Sequence, residues 1–567
     1  MSDTHTKSPQ SRHRFSDPGH DPATAAYASR VPTEPLQPVT ITRAVSGMVC
    51  AIDHLAAQAG LTMLIAGGSA ADAAVATSAV LAVTAQHMCG MGGDLLAVVA
   101  APGADPVALD SAGFAGAGAD PDRLRREGYA VMPFRDDIRA VTVPGCVDGW
   151  LALHTRYGRL PLAEVLAPAR RYAHDGFPAS PTLVAAIAGV AHLAGAADFT
   201  GVGPPIAGRL VRRPGIARAL DAVAGEGRGG FYGGEFGEGL VTLGGGHFAA
   251  SDLSTPVARW LPALAAPAWG RRLWTVPPAS QGYLTLAGAG IADGLELPQD
   301  PDDPQWAHLL IESARQAAWD RMTVLHDGAV GADLIDPGRL SARRGLISSE
   351  RAAALGDRYR EGGTIALCAV DADRMGVSVL QSNAAGFGSH LVEPGTGIFL
   401  QNRGIGFSLK PGHPGEYRPG RRPAHTLSPL AVTGAGGGLA AVAGTMGGDS
   451  QPQILLQILA RTLQVGEDPG VAVAAGRWAL GATAPGSGFD TWHDQGNVRV
   501  MIEGHAPSGW DDGLRRLGHQ VGRAEPFSSD FGHAHYIGVE KDHLPRGSDH
   551  LVGGSDPRAR AGAAVGW

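Results

Sequence analysis

The sequence predicts an α+β protein, with a sheet-rich back part covered by helices and a helix-rich front part whose strands can join the same sheet. Three observations predict it. Helical periodicity dominates before Gly362, and short β-branched, apolar runs separated by turn residues dominate after it. Hydrophobic residues are 44% of 567, enough for a large core and too many for a disordered chain. The 82 Gly and 40 Pro are scattered without a period, which excludes a collagen repeat and implies many tight turns.

Taken in order, residues 1 to about 38 are polar, without an apolar segment, and read as a disordered tail rather than a signal peptide. That reading makes the cytoplasm the expected location. A helical pattern runs from Ser46 to about Ala59, with Met48, Ile52, Leu55 and Ala56 on one face. In Gly67-Gly68-Ser69-Ala70-Ala71-Asp72, Ser69 and Asp72 fit a capping box, and the Ala/Val run behind them suits a buried helix. It ends at the turn His87 to Gly93, and Asp94 to Ala100 reads as a strand. Residues 143–178 continue as helix after Val143-Pro144-Gly145, and 185–360 read as helix-rich with Gly/Pro-rich connections at 201–205 and 225–246.

Thr364–Val370 and Gly376–Leu380 form a hairpin around Asp371-Ala372-Asp373-Arg374. Gly397–Leu400 is a further strand. Leu430–Thr433 and Leu439–Val442 make a second hairpin, which runs into Gly444-Thr445-Met446-Gly447-Gly448-Asp449-Ser450. A helix from Pro452 to about Leu463 follows, with proline near its first position.

Composition excludes several functions. The formal charge of −8 offers no basic field for nucleic acid or for an anionic membrane. The longest apolar stretch, Ala73 to Ala85, is too short to span a bilayer. Lys7, Lys410 and Lys541 are the only lysines, and no phosphate-binding loop is present, which disfavours lysine chemistry. Cys50, Cys89, Cys146 and Cys368 are too far apart to suggest a zinc site or a disulfide frame. His533-Ala534-His535 resembles half a metal site but lacks a third ligand in sequence, so it reads as structural. Neither a metal nor an organic cofactor is expected.

The junction Gly362-Gly363-Thr364 carries the most chemical information. A hydroxyl after a strained bond can attack the preceding carbonyl, and an N→O acyl shift with hydrolysis would cut the chain before Thr364. The new amine, with an intrinsic pKa near 7.7–8, can take the proton from its own hydroxyl. On its own, Gly-Gly-Thr before a strand reads as a plain turn. Gly447-Gly448, between a strand and a helix, can leave backbone N–H groups facing an oxyanion.

From Thr364 onward the sequence resembles the small subunit of the γ-glutamyltranspeptidase family of N-terminal-nucleophile hydrolases. That family reads roughly T-T-H-x-S-V-V-D where this chain reads Thr364-Ile-Ala-Leu-Cys-Ala-Val-Asp371. Further matches follow in order: Gln381-Ser382-Asn383, Phe387-Gly388, Pro394-Gly395-Thr396-Gly397, Asn402, Phe407-Ser408, Arg422-Pro423, Ser428-Pro429 and Asp556-Pro557-Arg558. The front matches through Gly67 to Val75, His87 to Gly93, Val143-Pro144-Gly145, Gly158 to Leu162 and Leu166 to Ala169. The resemblance implies Thr364 as nucleophile, Gly447 and Gly448 as oxyanion donors, and Ser382 as the hydroxyl that supports the nucleophile.

The charge clamps of the family are missing. Its carboxylate-binding Arg falls in Asp110-Ser111-Ala112-Gly113-Phe114, which holds no Arg, and its amine-binding Asp aligns with Gly406. Its paired serines become His425-Thr426, and an Asn becomes Ala384. Such a pattern resembles the acylase and amidohydrolase-like branch of the family, with Arg403, His425, Thr426 and Asn383 as substrate-binding candidates.

The resemblance implies a four-layer αββα sandwich, cut between Gly363 and Thr364 into a large subunit, 39–363, and a small catalytic subunit, 364–567. These would stay intertwined and act on a small-molecule amide bearing a carboxylate. Two alternatives stand beside this one: a true γ-glutamyltransferase that binds glutamate differently, and an unprocessed scaffold.

Overall fold

The computed structural model of the chain describes residues 39–201, 205–353, 363–481, 499–540 and 549–567. The tail, Gly362 and part of the 201–205 connection lie outside the described residues.

Two seven-stranded sheets dominate. Their strands are β1 (Thr42–Ala44), β2 (Met48–Ala51), β3 (Asp94–Ala100), β4 (Val107–Ser111), β5 (Arg259–Pro262), β6 (Leu264–Ala268) and β7 (Arg271–Thr275) from the front of the chain. From the back come β8 (Gly363–Val370), β9 (Gly376–Ala384), β10 (Leu430–Thr433), β11 (Leu439–Thr445), β12 (Ala534–Glu540), β13 (His550–Ser555) and β14 (Ala563–Gly566). The first sheet has the order β14-β2-β8-β9-β3-β4-β5 and the second β1-β13-β12-β11-β10-β7-β6. Strands from the front and the back of the chain are therefore mixed within both sheets. Five helices matter below: α1 (His54–Ile65), α2 (Ala70–Thr84), α3 (Tyr283–Ala292), α4 (Pro304–Ala318) and α5 (Gln451–Leu459).

The period-2 alternation of strand side chains builds the layers. Met48, Cys50, Ala366, Cys368, Leu96 and Leu380 point inward and pack against Ala431, Val442, Ile537 and Leu551 of the second sheet. The intervening residues Val49, Ala51, Ile365, Leu367, Val377 and Val379 point outward into a core shared with α1 and α2. On the far side, Leu430, Val432, Ala441 and Ala443 pack with α3, α4 and α5. The result is an α+β arrangement of two packed sheets with helices on both outer faces, in keeping with what the resemblance implies. The capping box at Ser69 and Asp72 starts α2, whose first N–H donates to Asp371 in the β8–β9 turn at 3.0 Å. Among the described residues no helix is long and apolar enough to cross a membrane, and the four cysteines are buried and free.

Two readings need correction. Residues 46–59 are not one helix: β2 occupies Met48–Ala51 and α1 begins at His54. A strand buried on both faces is apolar at every position, so its pattern mimics a helix. The 185–360 stretch is helix-rich as read and also carries β5, β6 and β7, whereas the 225–246 connection contains the helices Arg228–Tyr232 and Glu235–Gly244 despite its glycines. Both hairpins and the Asp94–Ala100 strand are present as read, although β9 runs on to Ala384.

The two sheets approach each other closely at Gly444. A Cβ there would lie 3.0 Å from Leu380 Cδ1 and 3.2 Å from the Ala366 Cβ. Gly444→Val should wedge the sheets apart and lower unfolding free energy by about 1–3 kcal/mol, measured by denaturant midpoint. An unchanged midpoint would show that this contact does not hold the sheets together.

Candidate active site

Thr364 is the second residue of β8, fully buried and on the inward face with Ala366. The ladder to β9 slips there: Gly363 pairs with Ala384 and Ile365 with Gln381. Thr364 thus stands opposite two residues, Ser382 and Asn383. Such a bulge re-aims a side chain at the end of a regular ladder. The Thr364 and Ser382 hydroxyls are 3.0 Å apart. Ala384 is held at φ 69°, a left-handed conformation uncommon for alanine, and its N–H donates to Ser382 Oγ at 2.8 Å.

Behind Ser382 lies a buried charge. Arg403, in the short 3-10 turn Arg403–Gly406, donates from Nη2 to Ser382 Oγ at 3.2 Å and from Nη1 to Thr426 Oγ1 at 3.1 Å. Asp94, directly across from Ser382 on β3, puts Oδ2 3.9 Å from Arg403 Nε. Burial draws the Arg403 guanidinium down to about 10 while Asp94 and Asp449 oppose that shift, so it stays charged at neutral pH. Asp94 Oδ1 accepts the Gly113 N–H at 2.9 Å, and Oδ2 lies 3.2 Å from His425 Nε2. The Leu427 N–H points at His425 Nδ1 at 3.3 Å, which leaves the proton on Nε2, facing Asp94. Burial first, then the Arg403 charge, pushes His425 down to about 4, so it is neutral.

The Gly-Gly turn is tied to the same network. Gln281 Nε2 donates at 2.9 Å to both Thr426 O and Gly448 O. Gly447 at φ 135° and Gly448 at φ 53° use conformations that side chains resist. Among the described residues, neither N–H of this pair meets an acceptor within the fold. A 3-10 turn, Gly448–Ser450, then leads into α5, whose N-terminal end adds positive potential. Arg321 holds Asp449 at 3.0 Å. Behind the turn is a cavity about the size of one water, lined by Leu284, Ala314, Asp449, Pro452 and Leu456.

The structure therefore joins Thr364, Ser382, Arg403, Thr426 and His425 in one network, with Gly448 linked through Gln281. Asn383 sits beside Ser382 with its amide turned to the front segment, where Nδ2 donates to Gln86 O at 3.1 Å. Sequence reasoning missed Asp94, Gln281 and Arg321. Asp94 carried a signal, an acidic residue opening an otherwise apolar strand; Gln281 sits in the turn that precedes α3 and Arg321 in the short helix Arg321–Val324, with no such signal. His533 and His535 are buried, and neither ring nitrogen of His535 has a hydrogen-bond partner among the described residues. His308, Glu312 and His519 form a separate buried group with ligand atoms within 4.8 Å. The two rings hydrogen-bond each other at 2.8 Å, and Arg315 pairs with Glu312 at 2.7 Å.

The sequence model of the gamma-glutamyltranspeptidase family matches residues 56–566. The chain is 35% identical over 540 residues to the oxamate amidohydrolase proenzyme of Klebsiella pneumoniae, covering 92% of this chain and 98% of that one. It is 33% identical over 537 residues to the glutathione hydrolase-like YwrD proenzyme of Bacillus subtilis, with 92% and 98% covered. The crystal structure of cephalosporin acylase from Bacillus halodurans superposes with a TM-score of 0.83 at 31% identity, over 95% of this chain and 99% of that one.

Buried neutral histidines give the fold a pH dependence. Burial lowers His535 and His87 to about 3 and His425 and His533 to about 4, below the unfolded value near 6.5. The unfolded chain therefore binds protons that the fold refuses. The stability each group contributes is complete above pH 6.5 and lost as pH falls toward 4, about 3 kcal/mol for one such group. His535→Leu should flatten the fall of unfolding free energy with pH by about one proton between pH 6.5 and 4. Denaturant titrations across that range test it, and a slope equal to the wild type's would count against a neutral buried His535.

Proposed function

The chain belongs to the gamma-glutamyltranspeptidase family, and we propose that it is an amide hydrolase of the acylase and amidohydrolase kind, made as a precursor and cut between Gly363 and Thr364. The observation that carries this reading is the 3.0 Å contact between the Thr364 and Ser382 hydroxyls at the bulge, backed by the Arg403 guanidinium. Relatives named oxamate amidohydrolase proenzyme and YwrD proenzyme, and the likeness to cephalosporin acylase, support it.

In maturation, Thr364 Oγ attacks the Gly363 carbonyl carbon and the C–N bond breaks. This leaves an ester on Oγ and a free α-amine on Thr364. Water hydrolyses the ester, giving a Gly363 carboxylate and the restored hydroxyl. In turnover the neutral amine accepts the Oγ proton as Oγ attacks the substrate amide. The Gly447 and Gly448 N–H groups receive the oxyanion, and the proton passes to the leaving amine. Water then releases the acyl group by the same route. Because strands 39–363 and 364–567 interleave in both sheets, the two pieces would stay together after the cut.

The substrate is a small amide with a carboxylate on its acyl part. Arg403 supplies the positive charge of the pocket wall, with Thr426, His425 and Asn383 around it. A free α-amino group finds no counter-charge where the family keeps one. A Cβ at Gly406 would meet Ala424 O at 2.4 Å, which leaves no room for an aspartate, and Asp110 is already paired with Arg259 at 2.7 Å. Glutathione should therefore be a poor substrate.

Wild-type protein should resolve into two polypeptides, the shorter beginning Thr-Ile-Ala-Leu, while Thr364→Ala stays as one intact chain. Intact mass and N-terminal sequencing decide this. An uncut wild type would favour the scaffold alternative. For the mature enzyme, kcat/KM on oxamate or glutaryl amides should exceed that on glutathione by about 100-fold or more, the scale of losing a charge-paired recognition contact. Efficient glutathione turnover with transfer to a dipeptide would instead establish a γ-glutamyltransferase.

A further inference from the structure

We propose that Arg135 is the carboxylate receptor of the acyl pocket, held beside the strand end that presents Thr364 and selecting an acyl chain that ends in a carboxylate. This rests on the reading of the chain as an amide hydrolase with Thr364 as nucleophile, and it names the group that recognises the far end of the acyl part.

The placement comes from Asn402, which ties three segments together. Its Oδ1 accepts the Ala385 N–H at 3.0 Å, and its Nδ2 donates to Phe134 O at 2.8 Å. Ala385 directly follows Ala384, the residue paired with Gly363 at the bulge, and Arg135 directly follows Phe134. Arg135 Nη2 donates to Gly386 O at 3.3 Å, and the Asp136 N–H donates to Ser389 O at 2.8 Å. The same front segment packs on the turn that carries Arg403, where a Cβ at Gly404 would lie 2.7 Å from Ala140 O. Eight non-glycine residues have positive φ among the described residues; Ala384, Phe387 and His390 fall in this one stretch, and Asp136 is bonded to it. Backbone strain gathers in this way at ligand clamps.

The charge of Arg135 is uncommitted. The residue is exposed, and among the described residues it makes no ion pair. Its neighbours differ: Arg139 is paired with Asp137 at 2.6 Å, and Arg421 with Asp327. Arg403 is buried and faces Ser382 and Thr426. The groups that act on Arg135 are Asp136, which favours its charge, and His390. Burial first, then Arg135 itself, lowers His390, which is therefore neutral at pH 7. The guanidinium lies over the Phe134 ring, 5.0 Å from its centroid, and keeps N–H groups for a planar carboxylate.

The span sets the length of the acyl chain. Two residues from Ala384 to Gly386 cover at most about 7 Å and paired strands lie about 5 Å apart, so the guanidinium stands on the order of 10 Å from Thr364 Oγ1. An amide carbon about 3 Å from the attacking oxygen and a carboxylate about 3 Å from the guanidinium leave about 4–5 Å of chain. A glutaryl group has that length. A carboxylate adjoining the scissile carbon, as in oxamate, falls short of Arg135.

The test compares the p-nitroanilides of glutarate and of valerate, which has the same chain ending in a methyl group. For wild type the ratio of kcat/KM, glutaryl over valeryl, should be about 5–10, the scale of a partly exposed charge-assisted pair. Arg135→Gln should bring the ratio to about 1–2, mainly through KM, and Arg135→Glu should invert it. The wild-type ratio should shrink with added salt. A ratio that Arg135→Gln leaves unchanged, or an equal loss on both anilides, overturns the proposal. Calorimetry with glutarate supplies a readout that needs no turnover. Glutarate should bind wild type, and bind Arg135→Gln about 5-fold more weakly; equal binding, or none to wild type, overturns the proposal. An uncut wild type, or glutarate binding without hydrolysis of either anilide, counts against the Thr364 reading instead.

Discussion

A hydroxyl must be presented at the end of a strand that is buried on both faces, and the architecture around Thr364 follows from that constraint. β8 lies in the middle of its sheet, with α2 behind it and the second sheet in front. A polar group there has to be hydrogen-bonded or it costs a few kcal/mol. The bulge opposite Ser382 and Asn383 supplies the first partner, and each partner brings in the next: Ser382 needs Arg403, Arg403 needs Asp94, and Asp94 takes His425 and the Gly113 N–H. Both sheets and the segments between them therefore converge on one hydroxyl.

Much of this was legible in the sequence, and what was missed has physical causes. The hairpins were readable because a strand followed by Asp371-Ala372-Asp373-Arg374 or by Gly434 to Gly438 announces its own turn. Helix α2 was readable because Ser69 and Asp72 write their cap into the sequence. β2 was not, because a central strand lacks alternation. Arg403, His425 and Thr426 were found by their departure from a family pattern, but their connectivity could not be. That Arg403 reaches Ser382, and that His425 turns to Asp94, depends on two sheets meeting across hundreds of residues. Asp94 shows the limit well: it stands next to a glycine turn in sequence, and only strand pairing sets it opposite Ser382.

The same pairing would allow the pocket to differ while the proposed nucleophile stays in place. Thr364, Ser382 and the Gly447-Gly448 turn are backbone-determined, fixed by a ladder, a bulge and two glycines with positive φ. The groups that would read a substrate lie on the turn after Asn402 and on the lead-in to β10, where one residue can change without shifting a strand. Gly406 illustrates the cost of reversal: its backbone lies so close to Ala424 that restoring an acidic side chain would require moving that lead-in.

Arginine at 403 is a physical requirement rather than a reflection of a chain poor in lysine. The group must be charged while buried, and it must donate to two hydroxyls on segments leading into different sheets, Ser382 on β9 and Thr426 ahead of β10. A lysine amine under the same burial is more easily driven to its neutral form. Its three donors radiate from one point, so reaching both hydroxyls would pull it away from Asp94. The guanidinium fork meets the span between the sheets without moving either, and it stays protonated under the burial that drives the neighbouring His425 down to about 4. Fixed charge and fixed geometry are thus satisfied by one side chain at the point where the sandwich is hardest to make polar.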